Sequence, residues 1–330
     1  MRIFPKKFNR PLGLSQRTAG LVILALALFL FPVFDKNAYH ADLAANVAIY
    51  ALLAMGLNVA VGFTGLLNLG YAAFFAIGAY TYALLNQHAG CPFWLGLPAA
   101  GIVSMVFGFL VGMPSIRVRG DYLAITTLGF GEIVRITFNN LDSITGGPNG
   151  ILGIDRPPGF SVNATPYYYL LLVIVAVTAA LLLRMEDSKI GRALVAIRED
   201  ELAASCMGVP VLRIKLYAFG LSAFIAGVAG CVFASKQTIV TPDSFDFVLS
   251  VLILAMVVLG GMGNLWGAAL GAVVLGLLPE LLREFASYRM LIFGLIMILM
   301  MIFRPQGILG GSLIRRELQT PRKESSDAPA

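Results

Sequence analysis

Apolar segments of membrane-spanning length follow one another along almost the whole chain. Of its 330 residues, 58% are hydrophobic and 13% are charged, and the mean hydropathy is +0.83. Soluble domains average about 25% charged residues, so this composition is typical of an all-α membrane protein. A bilayer core takes about 20 apolar residues per helix. The sequence therefore predicts a polytopic bundle of about ten transmembrane helices, near residues 18–35, 41–62, 66–86, 94–113, 122–140, 167–183, 214–235, 247–260, 264–282 and 288–303.

Basic residues are distributed unevenly between the predicted loops. If the N-terminus is cytoplasmic, eighteen Lys and Arg residues fall on cytoplasmic segments and five on outer segments, with Arg135 left inside a span. This asymmetry follows the positive-inside rule. It predicts an inner-membrane protein with both termini in the cytoplasm. The net charge of +6 then reflects orientation in the membrane and not a nucleic-acid partner.

Three parts follow from this pattern: a basic cytoplasmic tail at 1–17, a transmembrane domain at 18–310, and a polar cytoplasmic tail at 311–330. The first apolar segment follows a basic stretch, as in a signal peptide. It is long, however, and no A-x-A cleavage site follows it in FDKNAYHAD, so we interpret it as a retained anchor.

Sequence signatures of enzymes are missing. The chain contains no Gly-Lys dipeptide and therefore no phosphate-binding P-loop. Its two histidines, His40 and His88, fall in predicted outer loops with no cysteine or carboxylate cluster beside them, which is a poor pattern for a metal site. We expect no catalytic residues, metal or cofactor in this chain.

A charged segment at 184–215, here called the polar loop, interrupts the apolar pattern. Ile190, Leu194 and Ile197 recur at helical spacing, and Asp200 can cap a second short helix that ends at Gly208. The opposite face displays charges at Arg192, Arg198, Glu199 and Glu201. Such a face suits docking into a groove of a soluble partner; an inert solvated loop is the alternative.

The predicted span 122–140 carries two intramembrane charges, Glu132 and Arg135. Their i,i+3 spacing allows them to pair on one helix face. Asp121 lies about 16 Å of helix rise from Glu132, which predicts a pair near mid-depth. Charges at that depth are costly unless paired or facing water. The pair is either part of a polar conduction path or a structural salt bridge between packed helices.

Two predicted turns share the pattern G-x-x-N-L-x-x-A-A, at Gly65–Ala73 and Gly261–Ala269. In each, glycine can close one helix and asparagine can cap the next. This internal repeat predicts either two capped tight turns or two broken helix ends along a solute path.

Several stretches resemble the permease subunits of ATP-binding-cassette importers of the branched-chain amino acid type, in their LivM-like branch. Together they touch most of residues 45–310, in order and at natural spacing. They are GLNVAVGFTGLLNLGYAAFFAIGAYTYALL at Gly56–Leu85, RVRGDYLAITTLGFGEIVRITFNN at Arg117–Asn140, TGGPNGI at Thr145–Ile151, SKIGRALVAIREDELAASCMGV at Ser188–Val209 and FRPQGILG at Phe303–Gly310.

The resemblance implies a channel-forming subunit embedded in membrane lipid. Its implied partners are a second, homologous (LivH-like) permease, two cytoplasmic ATPase subunits that use ATP and Mg²⁺, and a periplasmic substrate-binding protein. The polar loop then corresponds to the segment that couples the permease to the ATPases. Many ABC importers begin this segment with Glu-Ala-Ala, whereas Glu201 is followed here by Leu202, Ala203 and Ala204.

Two groups of candidate residues follow from the resemblance. Those expected to couple to the ATPases are Gly191, Arg192, Arg198, Glu199, Asp200 and Gly208. Those expected along the translocation path are Asn68, Tyr71, Thr126, Thr127, Glu132 and Arg135.

Two alternative functions stay open at this stage. A urea or short-amide importer of the same family has similar permeases. An ion-coupled secondary transporter would use Glu132 as a proton carrier and would need no docking loop.

Overall fold

A computed structural model of the protein describes residues 37–116, 121–157, 159–160, 165–281, 289–304 and 306–309. The predicted first span at 18–35 and both predicted tails, 1–17 and 311–330, lie outside these residues. The described part is all-α apart from one pair of two-residue strands, which agrees with the predicted fold class.

Twelve α-helices are present in the described part of the chain. Nine of them coincide with predicted spans: α1 (Ala38–Thr64), α2 (Tyr71–Ala89), α3 (Phe93–Ser115), α4 (Asp121–Asn140), α6 (Thr165–Glu186), α9 (Val211–Gln237), α10 (Phe247–Gly260), α11 (Leu265–Leu281) and α12 (Arg289–Phe303). The other three are α5 (Asp142–Thr145), α7 (Lys189–Glu199) and α8 (Glu201–Cys206).

Five helical segments among the described residues are long and apolar enough to cross a membrane. They are Ala38–Thr64, Phe93–Ser115, Thr165–Glu186, Val211–Gln237 and Pro242–Gly260, the last of which combines a 3-10 turn with α10. A further apolar helix, α11, is shorter. The structure is thus that of a multi-pass helical membrane protein, while the number of ten spans stays a prediction.

The core lies between α1, α2, α9 and α11. From Leu52 to Val61, every residue of α1 is buried. Helix α9 packs against α3, α2 and α1, and its small residues allow this close approach, since packing in a membrane depends on contact and not on water exclusion. Because α1 is surrounded by other helices, it is buried on all sides and has no separate lipid-facing side. This explains why the α1 sequence is apolar around its whole circumference.

The contacts that the connecting segments make show which of them lie together at each end of the helix bundle. One end, the strand end, holds β1 (Ile151–Leu152) and β2 (Ile239–Val240), which pair antiparallel. The Lys236 ammonium lies 2.8 Å from the Asp42 carboxylate at this end. The Tyr82 hydroxyl and the Asn86 side chain bind the Asp155 backbone there.

The other end, the polar-loop end, holds α7 and α8. The turn after α10 meets α1 here, because the Gly263 N–H donates to the Asn58 side-chain oxygen. The segment after α12 also returns to this end, where the Ile308 and Leu309 N–H groups donate to the carbonyls of Leu259 and Gly260. The polar loop therefore shares one end of the molecule with both turns of the predicted repeat.

The two turns end one helix in the same way but begin the next differently. Gly65 ends α1 and Gly261 ends α10, both at positive φ. Asn264 caps α11 as predicted, since its side-chain oxygen accepts from the Trp266 and Gly267 N–H groups. Asn68 accepts instead from the Gly70 N–H, and α2 begins at Tyr71. The first turn is thus an extended loop, residues 65–70, and the equivalence of the two halves stays a prediction.

Candidate functional site

The polar loop folds into two short helices, as its periodicity predicts. Ser188 caps α7 through hydrogen bonds from the Ile190 and Gly191 N–H groups. Leu194 and Ile197 are buried against the bundle. The apolar face of α7 therefore holds the loop on the transmembrane domain.

Asp200 separates the two helices and begins the second. Its carboxylate accepts hydrogen bonds from the Leu202 and Ala203 N–H groups, at 2.9 and 3.0 Å. This arrangement is the N-cap that the sequence predicts. Its carboxylate is thus engaged in the fold of the loop, and a direct contact of Asp200 with an ATPase stays a prediction.

Both glycines predicted to take part in coupling have backbone roles. A Cβ at Gly191 would lie 2.3 Å from the Met185 carbonyl oxygen, so only glycine lets α7 approach the end of α6. Gly208 follows α8 at φ +81°, a conformation that glycine adopts without steric cost. The two glycines shape the loop and leave partner contacts to its side chains.

Two charged contacts fasten the loop to the bundle. The Arg198 guanidinium donates to the Gly62 carbonyl at 2.6 Å, near the end of α1. The Glu201 carboxylate lies 2.8 Å from the ammonium of Lys215, a side chain that is almost completely buried in α9. Sequence reasoning placed Arg198 and Glu201 on an outward-facing surface. In the structure both make contacts with the transmembrane helices, although Arg198 stays exposed like Arg192 and Glu199.

Two large apolar side chains of the polar loop are highly exposed, which the charge pattern did not predict. Leu202, within α8, is 73% exposed, and Met207, directly after α8, is 84% exposed. Arg192 and Glu199 are exposed on α7, and Arg192 donates to the Asp187 carbonyl within the loop. The structure thus presents two large apolar side chains, with charged groups nearby, at one end of the bundle. Leu202 and Met207 do not recur at helical spacing, so the sequence carried no periodic signal that could identify them.

The predicted ion pair on α4 is present. Arg135 contacts the Glu132 carboxylate through two nitrogens, each at 3.0 Å, and both side chains are 34% exposed. The Arg135 guanidinium also lies 3.9 Å from the carboxylate of Asp243, which is 83% exposed at the strand end. The predicted pairing is thus confirmed, whereas the predicted mid-depth position of the pair stays a prediction.

One face of α4 has no neighbour within the described part of the chain. Tyr122, Ile125, Ile133 and Ile136 are the large exposed side chains on it. Polar residues share this face, including Thr126, Thr137 and Asn140. At 100° per residue the Glu132–Arg135 pair lies at its edge. By contrast, the large exposed side chains of α3 are all apolar, as expected for a lipid-facing helix.

Three of the four remaining path candidates are buried around the loop 65–70. The Tyr71 hydroxyl donates to the Ser222 carbonyl at 3.1 Å. Thr127 accepts from the Leu69 N–H at 3.1 Å, whereas Thr126 is exposed and donates within its own helix. Thus Asn68, Tyr71 and Thr127 lie inside the fold, while Thr126 lies on the open face of α4.

No group of three or more His, Cys, Asp or Glu residues with metal-binding geometry occurs among the residues that the structure describes. All three cysteines are free.

These features define a class: a multi-pass α-helical membrane protein with an ion pair beside an open helix face and a structured extramembrane loop. A family model for the permease component of branched-chain amino acid transport systems matches residues 39–302. The chain belongs to this family.

Similarity to individual relatives is extensive. The chain is 48% identical to the high-affinity branched-chain amino acid transport system permease protein LivM of Salmonella typhimurium, over 92% of this chain and 78% of that protein. It is 46% identical to LivM of Escherichia coli K12, over 88% of this chain and 73% of that protein. The Escherichia coli permease protein LivH is 25% identical over 79% of this chain and 91% of its own length. No solved structure matches.

Proposed function

We propose that this protein is a transmembrane permease subunit of an ATP-binding-cassette importer that moves branched-chain amino acids across the inner membrane. Identity of 46–48% to two LivM permeases over most of the chain carries this proposal. The relatives are transport permeases, and the chain has no P-loop of its own. ATP hydrolysis therefore takes place in separate subunits.

The polar loop is the proposed docking site for a cytoplasmic ATPase. Its exposed Leu202 and Met207 suit insertion into an apolar cleft, because burying a large apolar side chain contributes about 1.5–3 kcal/mol. Arg192 and Glu199 are exposed on the preceding helix α7 and can set the orientation of the partner. This assignment puts the polar-loop end on the cytoplasmic side, and the proposal that both termini are cytoplasmic rests on the distribution of basic residues alone.

The open face of α4 is the proposed boundary of the translocation path, completed by a second, LivH-like permease. Its support is the Glu132–Arg135 pair, because a one-third exposed ion pair on a membrane helix is unfavourable against lipid. The pair therefore faces water or a partner subunit. Two opposite charges 3.0 Å apart also match the charges of a zwitterionic amino acid, which could be held there weakly while it passes.

Reconstitution tests the proposal as a whole. The tagged chain is purified from its native membrane in mild detergent, co-purifying subunits are identified, and the complex is placed in proteoliposomes with a periplasmic binding protein. We expect a P-loop ATPase and a second permease to co-purify, and leucine uptake to require ATP. Uptake that follows a proton gradient and ignores ATP would instead identify a secondary transporter. Preferred uptake of urea would identify the short-amide importer.

The docking assignment has its own test. Leu202→Asp and Met207→Asp should each reduce ATPase co-purification, since a charge replaces an apolar contact. Leu152→Asp is the matched control, because Leu152 is also exposed but lies in β1 at the opposite end. Undiminished ATPase recovery with both loop variants would refute docking through α8.

A further inference from the structure

The side chain of Arg198, a residue of α7, lies at the C-terminal end of the central helix α1. The last carbonyls of a helix have no partner within it and carry the negative end of its dipole. The Gly65 and Leu66 N–H groups bind the carbonyls of Val61 and Ala60. Arg198 binds the Gly62 carbonyl that the next turn leaves free. A residue of the polar loop thus completes the end of a transmembrane helix.

The same arginine also touches the loop 65–70. Its Cγ lies 3.7 Å from the position that a Cβ would take at Gly65. Gly65 has φ +71° and turns the chain out of α1 into this loop. A displacement of the Arg198 side chain would therefore act on the point where the helix ends and the loop begins.

At its far end, the loop 65–70 lies directly on α4. The Leu69 N–H donates to the Thr127 hydroxyl at 3.1 Å. A Cβ at Gly70 would lie only 1.9 Å from the Thr127 carbonyl oxygen, so the two backbones are in contact. Thr127 is buried, one residue along α4 from Thr126 on the open face. The loop therefore joins the end of α1 to the helix that borders the proposed path.

The loop 65–70 also contains a buried polar group, on Asn68, whose hydrogen-bonding capacity is not fully used. The Asn68 side chain is buried, and its amide nitrogen has no hydrogen-bond partner within the described part of the chain. Such a group is costly and calls for an explanation. A second position of the loop, in which this amide finds an acceptor, would make the loop an element with two stable arrangements.

We propose that Arg198 and Thr127 are positioning residues at the two ends of a mechanical connection that carries movement of the polar loop to α4 through the loop 65–70. The inference rests on the proposed function and deepens it, because it assigns Arg198 to transmission inside the permease and not to contact with the ATPase. The ATPase moves the polar loop, Arg198 moves the end of α1 and the loop 65–70, and Thr127 receives that movement on α4.

The test uses the complete transporter with its ATPase subunits in proteoliposomes, and it measures amino acid uptake per ATP hydrolysed. Arg198→Gln should retain the ATPase subunits and hydrolyse ATP, while uptake per ATP falls about tenfold, the change that losing one charge-assisted hydrogen bond corresponds to. Arg198→Lys should recover part of the loss, because its ammonium can still donate to the Gly62 carbonyl. Arg213→Gln is the matched control, since Arg213 is exposed and its side chain makes no hydrogen bond or ion pair with the described residues.

Thr127 tests the other end of the connection. Thr127→Val keeps the shape of the side chain but removes the acceptor for the Leu69 N–H, so uptake per ATP should fall as it does in Arg198→Gln. Thr127→Ser should restore it. Thr81→Val is the control, because within the described part of the chain the Thr81 hydroxyl binds the Ile77 carbonyl of its own helix and no other element.

Hydrogen–deuterium exchange gives a readout that a purely structural role would not change. In the wild-type complex, amides of residues 65–70 should exchange at different rates with and without ATP, and this difference should disappear in Arg198→Gln. Uptake per ATP equal to wild type in Arg198→Gln would overturn the inference. So would loss of the ATPase subunits from that variant alone, because Arg198 would then be a docking residue. A wild-type complex without ATPases and with ATP-independent uptake would remove the proposed function itself, and this inference with it.

Discussion

The ion pair between Glu201 and Lys215 provides a quantitative test of how the polar loop is held. The Lys215 side chain is nearly all buried, while about 39% of the Glu201 side chain is exposed, and their charged atoms are 2.8 Å apart. Glu201→Gln keeps the size of the side chain but leaves the lysine ammonium without its counter-charge. The change should therefore loosen α8 from α9.

The expected decrease in the free energy that holds the polar loop in place lies between two limits. Removing one partner of a fully buried pair costs about 3–5 kcal/mol, whereas exposed pairs contribute about 0–1 kcal/mol. One partner here is buried and the other is partly in water, so we expect about 2 kcal/mol for Glu201→Gln. The double variant Glu201→Gln/Lys215→Met removes both charges and should lose less than 1 kcal/mol, roughly the contribution of an exposed pair.

Hydrogen–deuterium exchange of the amides in 201–215 measures this local opening directly. A loss of about 2 kcal/mol corresponds to about 30-fold faster exchange. Glu199→Gln is the matched control, because Glu199 is exposed and makes no ion pair with the described residues. If the single and double variants exchanged at the same rate, the pair would not hold the loop and the reasoning would be refuted.

Three further single substitutions and one double variant test other parts of the fold, each by thermal unfolding in detergent. Glu132→Ala should lower the free energy of unfolding by about 1 kcal/mol, because the lone guanidinium keeps only its longer contact with Asp243. The double variant Glu132→Ala/Arg135→Ala should be destabilised less. Equal stability of the two variants would show that the pair does not contribute to stability. Asn264→Ala should lower the free energy of unfolding by about 1 kcal/mol, since it removes the cap of α11. An unchanged midpoint of thermal unfolding would mean that water replaces the cap. Gly208→Ala should cost roughly 1 kcal/mol, because alanine is strained at φ +81° even though space for its Cβ is open; a stabilised variant would contradict that reason.

Local features were predictable because they depend on near neighbours in the chain. The nine predicted spans that lie among the described residues coincide with helices, since apolar length and composition set where a membrane helix forms. The Glu132–Arg135 pair and the Asp200 cap are also local, because residues two to four apart on a helix meet whatever surrounds them. The contact of Arg135 with Asp243 was not predictable, because the two residues are distant in sequence and only the tertiary structure brings them together.

The family and the class of protein were likewise accessible from the sequence. The stretches at Gly56–Leu85 and Ser188–Val209 already resembled the branched-chain amino acid permeases, and the family model and the LivM relatives confirm that resemblance. Roles of individual residues were less accessible. Pattern alone placed the charges of the polar loop outward, and it could not distinguish a charge that meets a partner from one that meets the bundle.

The sequence by itself determined a helical membrane protein with a structured polar loop, because hydropathy, helix periodicity and capping are properties of short segments. Only the tertiary structure decided which way the side chains of that loop point. It turned Arg198 toward the Gly62 carbonyl and Glu201 toward Lys215, and it left Leu202 and Met207 exposed. Those outcomes depend on which helix ends approach one another, a long-range property that no local pattern encodes.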